Sequence, residues 1–272
     1  PMLVEREATH RTIALAELVD VPVLVVHVSG AEAIEQIRWA QSRGLKVYAE
    51  TCPQYLFLTA DDMDKPGLEG AKHMCSPPPR DKANQEIVWN ALAEGVFEVF
   101  SSDHAPYRYD DPDGKMKHGP DAHFKQIANG VPGLEVRMPL LFSEGVRKNR
   151  ISLTDFVAQT ATNAAKLYGL YPRKGTIAIG SDADLAIWDE TKQVTITQSI
   201  MHDAMDYTPY EGVDVTGWPV ITLLRGSPVW RDGEFTGRAG GGMFHKCDTP
   251  PALDAPSRFP TRFDPVAGSY SG

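Results

Sequence analysis

Apolar positions in the first half of the chain switch repeatedly between two periods. Over residues 5–19, Ala8, Ile13, Ala14, Leu15 and Leu18 recur at helical spacing, and residues 23–28 follow as a nearly unbroken run, Val-Leu-Val-Val-His-Val. A run of that kind predicts a strand covered on both faces, as in a parallel sheet. The alternation then repeats. Ser29 and Gly30 can start a helix over 31–43 whose inward stripe is Ala33, Ile34, Ile37 and Ala40; Gly44 stops it, and a strand resumes over 46–51. A further helix over 84–92 leads into a strand over 96–103. Strands joined through helices imply right-handed parallel crossovers, so this half predicts an α/β fold, either a barrel or an open doubly wound sheet. Neither Gly-x-Gly-x-x-Gly nor Gly-x-x-x-x-Gly-Lys-[Ser/Thr] follows any of these strands, which removes the usual support for a nucleotide-binding open sheet and favours the barrel.

From Pro132 onward the pattern changes. Residues 133–148 and 153–168 are helical in spacing, and short strands then take over at 184–188 and 220–224, bounded by turn signals such as Gly180-Ser-Asp182 and Arg231-Asp-Gly233. The chain therefore divides into a barrel part over 1–170, a β-rich appendage over 171–246 and a proline-rich surface tail over 247–272.

Composition narrows the function classes. With 42% hydrophobic and 23% charged residues the chain is of ordinary globular type. Its longest apolar run, 21–28, is broken by Pro22 and His27 and falls well short of the roughly 18 residues a membrane span needs. A formal net charge of −9 repels phosphate backbones and anionic headgroups, so neither nucleic acid nor membrane is expected as a partner. Three cysteines, Cys52, Cys75 and Cys247, with no Cys-x-x-Cys, support neither a disulfide framework nor a structural zinc knot and suit a cytoplasmic setting. The chain starts at Pro1 without a secretory pattern, which is expected of a processed start or of a piece of a longer protein.

Active sites of parallel barrels lie at the carboxyl ends of the strands, so polar residues that close an apolar strand are the ones to inspect. His27 interrupts Val25-Val-His-Val-Ser29, and Asp103 closes the strand that runs into His104-Ala-Pro106. Taken alone, His27 reads more readily as a hydrogen-bonded core histidine, and Asp103 equally well as a turn-forming residue. Together, imidazole nitrogen and carboxylate oxygen at strand ends are suitable donors for zinc or a similar divalent ion, which activates water for attack on a carbonyl. Two donors are too few for a catalytic zinc, and the other histidines form no His-x-His or His-Glu-x-x-His pair. Cys52 and Cys75 read as small buried hydrophobes, Arg80, Lys72 and the charged segment with Lys115 and Lys117 as solvated, and Met138, Leu141 and Phe142 as core or subunit interface.

Several motifs occur in order: Val25-Val-His-Val-Ser29, Glu50-Thr-Cys-Pro-Gln-Tyr55, Cys75-Ser-Pro-Pro-Pro-Arg80, Ser102-Asp-His-Ala-Pro106, Asn129-Gly-Val-Pro-Gly-Leu-Glu135, Asn163-Ala-Ala-Lys166, Lys174-Gly-Thr-Ile-Ala-Ile-Gly-Ser-Asp-Ala-Asp184 and Asp206-Tyr-Thr-Pro-Tyr-Glu-Gly212. In these the chain resembles the carboxyl-terminal half of the dihydropyrimidinases and D-hydantoinases, cyclic amidases of the amidohydrolase superfamily. The resemblance implies a (β/α)8 TIM barrel of the metallo-dependent hydrolase type, of which only strands six to eight are present, with a small β-sandwich appendage. It implies two Zn2+ per complete subunit, bridged by a carboxylated lysine absent from this chain. By the same resemblance His27 binds one zinc, and Asp103 binds the other and acts as the base that passes a proton to the leaving ring nitrogen. Ser76 and Asn129 hold the cyclic imide through their main-chain groups. The implied substrates are small cyclic imides or ureides, opened to N-carbamoyl amino acids, and the implied assembly is a homotetramer. The family's His-x-His, bridging lysine, substrate-contacting tyrosine and fifth-strand histidine have no counterpart, so this polypeptide alone is expected neither to close a barrel nor to hold two metals. An allantoinase and a non-catalytic scaffold relative of the same fold are the rival readings; retention of His27 and Asp103 argues against the scaffold.

Overall fold

The computed structural model describes residues 1–254 and two short strands beyond them, Phe263–Asp264 and Ser269–Tyr270. Most of the expected surface tail therefore lies outside the described residues. The first layer is helix α1 (Met2–Val19), strand β1 (Val23–Val25), helix α2 (Ala31–Ser42) and strand β2 (Val47–Thr51). The short helices α3 (Pro53–Phe57) and α4 (Ala60–Met63) come next, then α5 (Lys82–Ala93) and strand β3 (Val99–Phe100). The three strands form one parallel sheet in the order β1-β2-β3, with Val23 opposite Val47 and Glu50 opposite Val99. Both outer strands are edges among the described residues.

The helices form where apolar stripes and caps coincide. α2 buries Ala33, Ile34, Ile37 and Ala40, the stripe read from the sequence. α5 is started by Asp81, whose carboxylate accepts from the amide of Asn84 at 2.9 Å, one of the free amides at a helix start. α1 differs from expectation. Its buried face is Thr9, Ile13 and Ala16, whereas Leu15 and Leu18 are 59% and 44% exposed. The helix packs on α2 along a narrower line than the apolar residues would allow. The core joins Ile13, Ile34 and Ile37 to Val88, Trp89 and Leu92 across Val47, Ala49 and Phe100.

The later helices are short α segments, α6 (Arg137–Leu141), α7 (Leu153–Val157) and α8 (Asn163–Leu167). Wide π turns at Phe142–Val146 and Ala158–Thr162 interrupt the two spans that read as continuous helices. Leu141 and Phe142 are core, with Phe142 stacked on Trp188 at 5.0 Å between ring centroids. The β-rich part is an antiparallel sheet in the order β4-β5-β6-β7, made of β4 (Leu185–Thr195), β5 (Asp214–Leu224), β6 (Ser227–Arg231) and β7 (Glu234–Phe235). Its two tight hairpins carry left-handed Arg225-Gly226 and Asp232-Gly233, in which Asp232 and the two glycines are the residue types such turns favour. Among the described residues it is a single sheet, with no second sheet packed on it as a sandwich. β4 and β5 outrun the sequence reading because their added residues, such as Asp189 to Gln193, are polar and exposed.

Candidate active site

The parallel ladder ends just before the residues singled out for chemistry. β1 stops at Val25, and after the detour of Val26 and His27 the chain rejoins the sheet through Val28 N–H, which donates to the Glu50 carbonyl at 2.9 Å. His27 has φ 44 and Asp103 has φ 45, the left-handed region that non-glycine residues avoid. Both residues thus share one backbone conformation just past the carboxyl ends of β1 and β3, where parallel α/β folds place functional side chains. Neither side chain makes a hydrogen bond or ion pair with any described residue. β2 lies between their strands, so about two strand spacings, roughly 10 Å, separate the two ladders.

Asp103, Ser76 and Asn129 are brought into one cluster of loops. Ala105 N–H donates to the Val131 carbonyl at 3.1 Å, His104 bridges to Val131, and the His104 Nδ1 accepts from the amides of Gly133 and Leu134 at 3.2 and 3.3 Å. The loop after Asp103 is thereby stapled to the loop of Asn129. A second staple runs to Ser76: Gly130 N–H donates to the Met74 carbonyl at 3.0 Å, and the Asn129 side-chain amide donates to Ser76 Oγ at 2.8 Å. Gly130 is required at this crossing, because at φ +138 a Cβ would sit 2.3 Å from the Cβ of Ala105. Among the described residues, no main-chain N–H or C=O of Ser76 or Asn129 has a hydrogen-bond partner, and both residues are exposed. His27 and Ser76 share a cavity of about 610 Å3 beside α1, whereas Ser76 and Asn129 share a second, of about 840 Å3, walled by Met63, Leu68, Met74 and Phe124.

Supporting residues emerge that the sequence did not single out. The buried Tyr55 of the Cys-Pro-Gln-Tyr stretch donates its hydroxyl to the Pro77 carbonyl at 3.1 Å, steadying the loop of Ser76 from beneath. Arg80 is not solvated. Its Nη2 meets Glu5 Oε2 at 2.9 Å with both side chains 12% exposed, and its Nε donates to Ser29 Oγ at 3.1 Å. Lys115, expected to be solvated, is fully buried. The charged pattern around it hid this, since nothing local marks which lysine of a polar loop turns inward. Cys52 and Cys75 are buried, and burial raises both thiols, Cys75 to about 12, so neither supplies a thiolate at neutral pH.

Parallel strands with polar residues past their carboxyl ends and loops stapled above them are the arrangement in which α/β folds place their ligand-binding and catalytic sites. The comparisons give the family: the amidohydrolase family pattern matches residues 22–229, and the chain belongs to that family. It is 46% identical over 246 residues to the D-hydantoinase of Rhizobium radiobacter, covering 90% of this chain and 53% of that one, and 47% identical to that of Geobacillus stearothermophilus over the same length. The crystal structure of dihydropyrimidinase from Brevibacillus agri NCHU1002 superposes with a TM-score of 0.86 at 48% identity, covering 89% of this chain and 52% of that one. The chain spans about half the length of the curated relatives it matches.

The donors of this chain fit a divalent ion in part. His27 and Asp103 offer suitable atoms with no competing partner, yet no group of three or more His, Cys, Asp or Glu side chains comes together among the described residues. No helix of the described residues is long and apolar enough to cross a membrane.

Proposed function

We propose that this chain contributes half of the active site of a metal-dependent cyclic amidase that opens 5-substituted hydantoins or 5,6-dihydropyrimidines to N-carbamoyl amino acids. The observation that carries the reading is the cluster in which the free main-chain groups of Ser76 and Asn129 lie on loops stapled to the loop of Asp103. Two adjacent main-chain sites, each with an N–H donor and a C=O acceptor, match the alternating carbonyl and N–H edge of a cyclic imide.

His27 and Asp103 would each help to hold one of two zinc ions, the remainder of the set, including a bridging carboxylated lysine, coming from outside this chain. When bound, the metal polarises the ring carbonyl and brings the pKa of water toward neutrality. The residues of this chain do the rest. Ser76 and Asn129 hold the ring imide so that one carbonyl faces Asp103. The Asp103 carboxylate takes the proton of the attacking water and delivers it to the ring nitrogen as the C–N bond breaks, so that the amide becomes a carboxylate and the nitrogen leaves protonated. Residues 1–170 read as the last strands of a (β/α)8 barrel, 171–246 as part of a β-sandwich appendage and 247–272 as a tail, in a cytoplasmic homotetramer. Light scattering of the complete protein giving a monomer would remove the tetramer.

Assaying the complete protein on dihydrouracil, a 5-aryl hydantoin and allantoin tests the activity. Turnover of the first two is expected, and turnover of allantoin alone overturns the assignment.

A further inference from the structure

Lys115 is the one fully buried lysine among the described residues, and the chemistry above leaves it unused. Its burial is imposed by the loop. Lys115 N–H donates to the Arg108 carbonyl and Met116 N–H to the Tyr109 carbonyl, each at 2.9 Å, so the chain doubles back tightly here. Gly114 makes the close approach possible, because a Cβ there would lie 2.2 Å from the Arg108 carbonyl oxygen. The side chain then points inward to one partner: Nζ donates to the carbonyl of Ala128 at 2.9 Å. No carboxylate pairs with it among the described residues, and a buried ammonium without a counter-ion is unfavourable, so the bond to Ala128 has to offset that cost.

The position of that bond ties it to the site. Ala128 immediately precedes Asn129, and Gly130, one residue further, is tied to Met74 two residues before Ser76. One ammonium thus supports from inside the short backbone that carries Asn129, which is in turn tied to the loop of Ser76. We infer that Lys115 is a positioning residue that fixes the height of the Ala128–Gly130 backbone above the Ser76 loop and so sets how tightly the ring imide is held. The inference rests on the reading of Ser76 and Asn129 as substrate-binding residues. Burial also lowers the Lys115 pKa to about 8, and the neutral amine keeps an N–H for Ala128, so the strut survives loss of the charge.

The test uses the complete protein with Lys115→Met, which keeps the stem and its packing but has no donor. KM for a 5-aryl hydantoin is expected to rise about 10-fold with kcat within about 2-fold, because a binding interaction has been loosened and the reacting groups have not. Hydrogen exchange at the Gly130 amide is expected to accelerate, with the β4–β5 ladder unchanged as the internal control. Should Lys115→Met fail to fold, Lys115→Leu, which likewise has no donor, carries the same comparison. An unchanged KM, or a loss of kcat at constant KM that tracks the folded fraction, overturns the inference. If the unaltered protein turns over no cyclic imide or ureide, the functional reading fails instead. The Gly130 exchange then decides the strut alone, and no acceleration in the variant overturns it.

Discussion

At the scale of single residues, His27 and Asp103 share one feature, left-handed backbone just past the ends of parallel strands. His27 and Asp103 hold left-handed backbone at a cost of about 1 kcal/mol or more each, and no side-chain bond within the described residues repays it. Asparagine tolerates that conformation better than most residues and is nearly the same shape as aspartate. Asp103→Asn is therefore expected to leave Tm within about 2 °C while lowering kcat at least about 100-fold, since the proposed mechanism loses its proton acceptor; thermal melts and steady-state kinetics on one preparation check both. Gly130→Ala is expected to do the reverse. Its Cβ collides with Ala105 at a positive φ, so stability should fall by about 2 kcal/mol or more, read from chemical denaturation. The thiols give a third outcome. At pH 8, alkylation followed by peptide mapping should label Cys247, which is exposed, and spare Cys52 and Cys75 in the native state.

At the scale of elements, the tethers that matter cross from one segment to another. Glu5 on α1 accepts from the Ser29 amide and hydroxyl at 2.8 and 2.7 Å and pairs with Arg80 beyond the Ser76 loop, so one carboxylate ties a helix, a strand end and a site loop together. Removing one partner strands the other in a largely buried place. Glu5→Gln is expected to cost about 2–4 kcal/mol by denaturation, more than an exposed pair of the same length would. The loop after Asp103 has a comparable anchor in Asp206. Its carboxylate accepts from the amides of Tyr109 and Asp110 at 2.8 and 2.9 Å. Partial burial opposes ionisation, but sharing the proton of the neighbouring Asp110 carboxyl, whose own pKa is raised in turn, and the bonds from these two amides hold the Asp206 carboxyl at about 2. A pKa depressed in the folded state stabilises in full above the unfolded value of about 4 and ceases to do so as pH falls toward 2. Protection of the 107–111 amides should thus weaken between about pH 4 and pH 2, and Asp206→Asn should show weak protection already at pH 5.

At the scale of the whole molecule, the parallel sheet presents both β1 and β3 as edges among the described residues, and His27 and Asp103 stand at the ends of those outer strands. A divalent ion at either would find one strong donor from this chain where a catalytic zinc usually has three. Mass spectrometry of these 272 residues expressed alone is accordingly expected to show fewer than two tightly bound zinc ions per chain, and two would contradict this account.

Periodicity determined a great deal by itself. The α2 stripe, the β2 strand and the order helix, strand, helix, strand were legible because burial on a helix or strand face repeats at a fixed interval, which sequence records directly. That His27 and Asp103 lie just past the ends of parallel strands was legible for the same reason, as polar breaks in apolar runs. What sequence did not record was direction: that Lys115 turns inward, that Arg80 finds Glu5 seventy-five positions away, and that Leu15 and Leu18 face out while Thr9 faces in. Nor did it show that the loops of Ser76, Asp103 and Asn129 meet, because each of those contacts joins residues far apart in the chain through main-chain groups that every residue type possesses. Local pattern fixes the elements because their hydrogen bonds are local. Only the tertiary structure decides which distant segments meet, and in this protein it brings the loops of Ser76, Asp103 and Asn129 together.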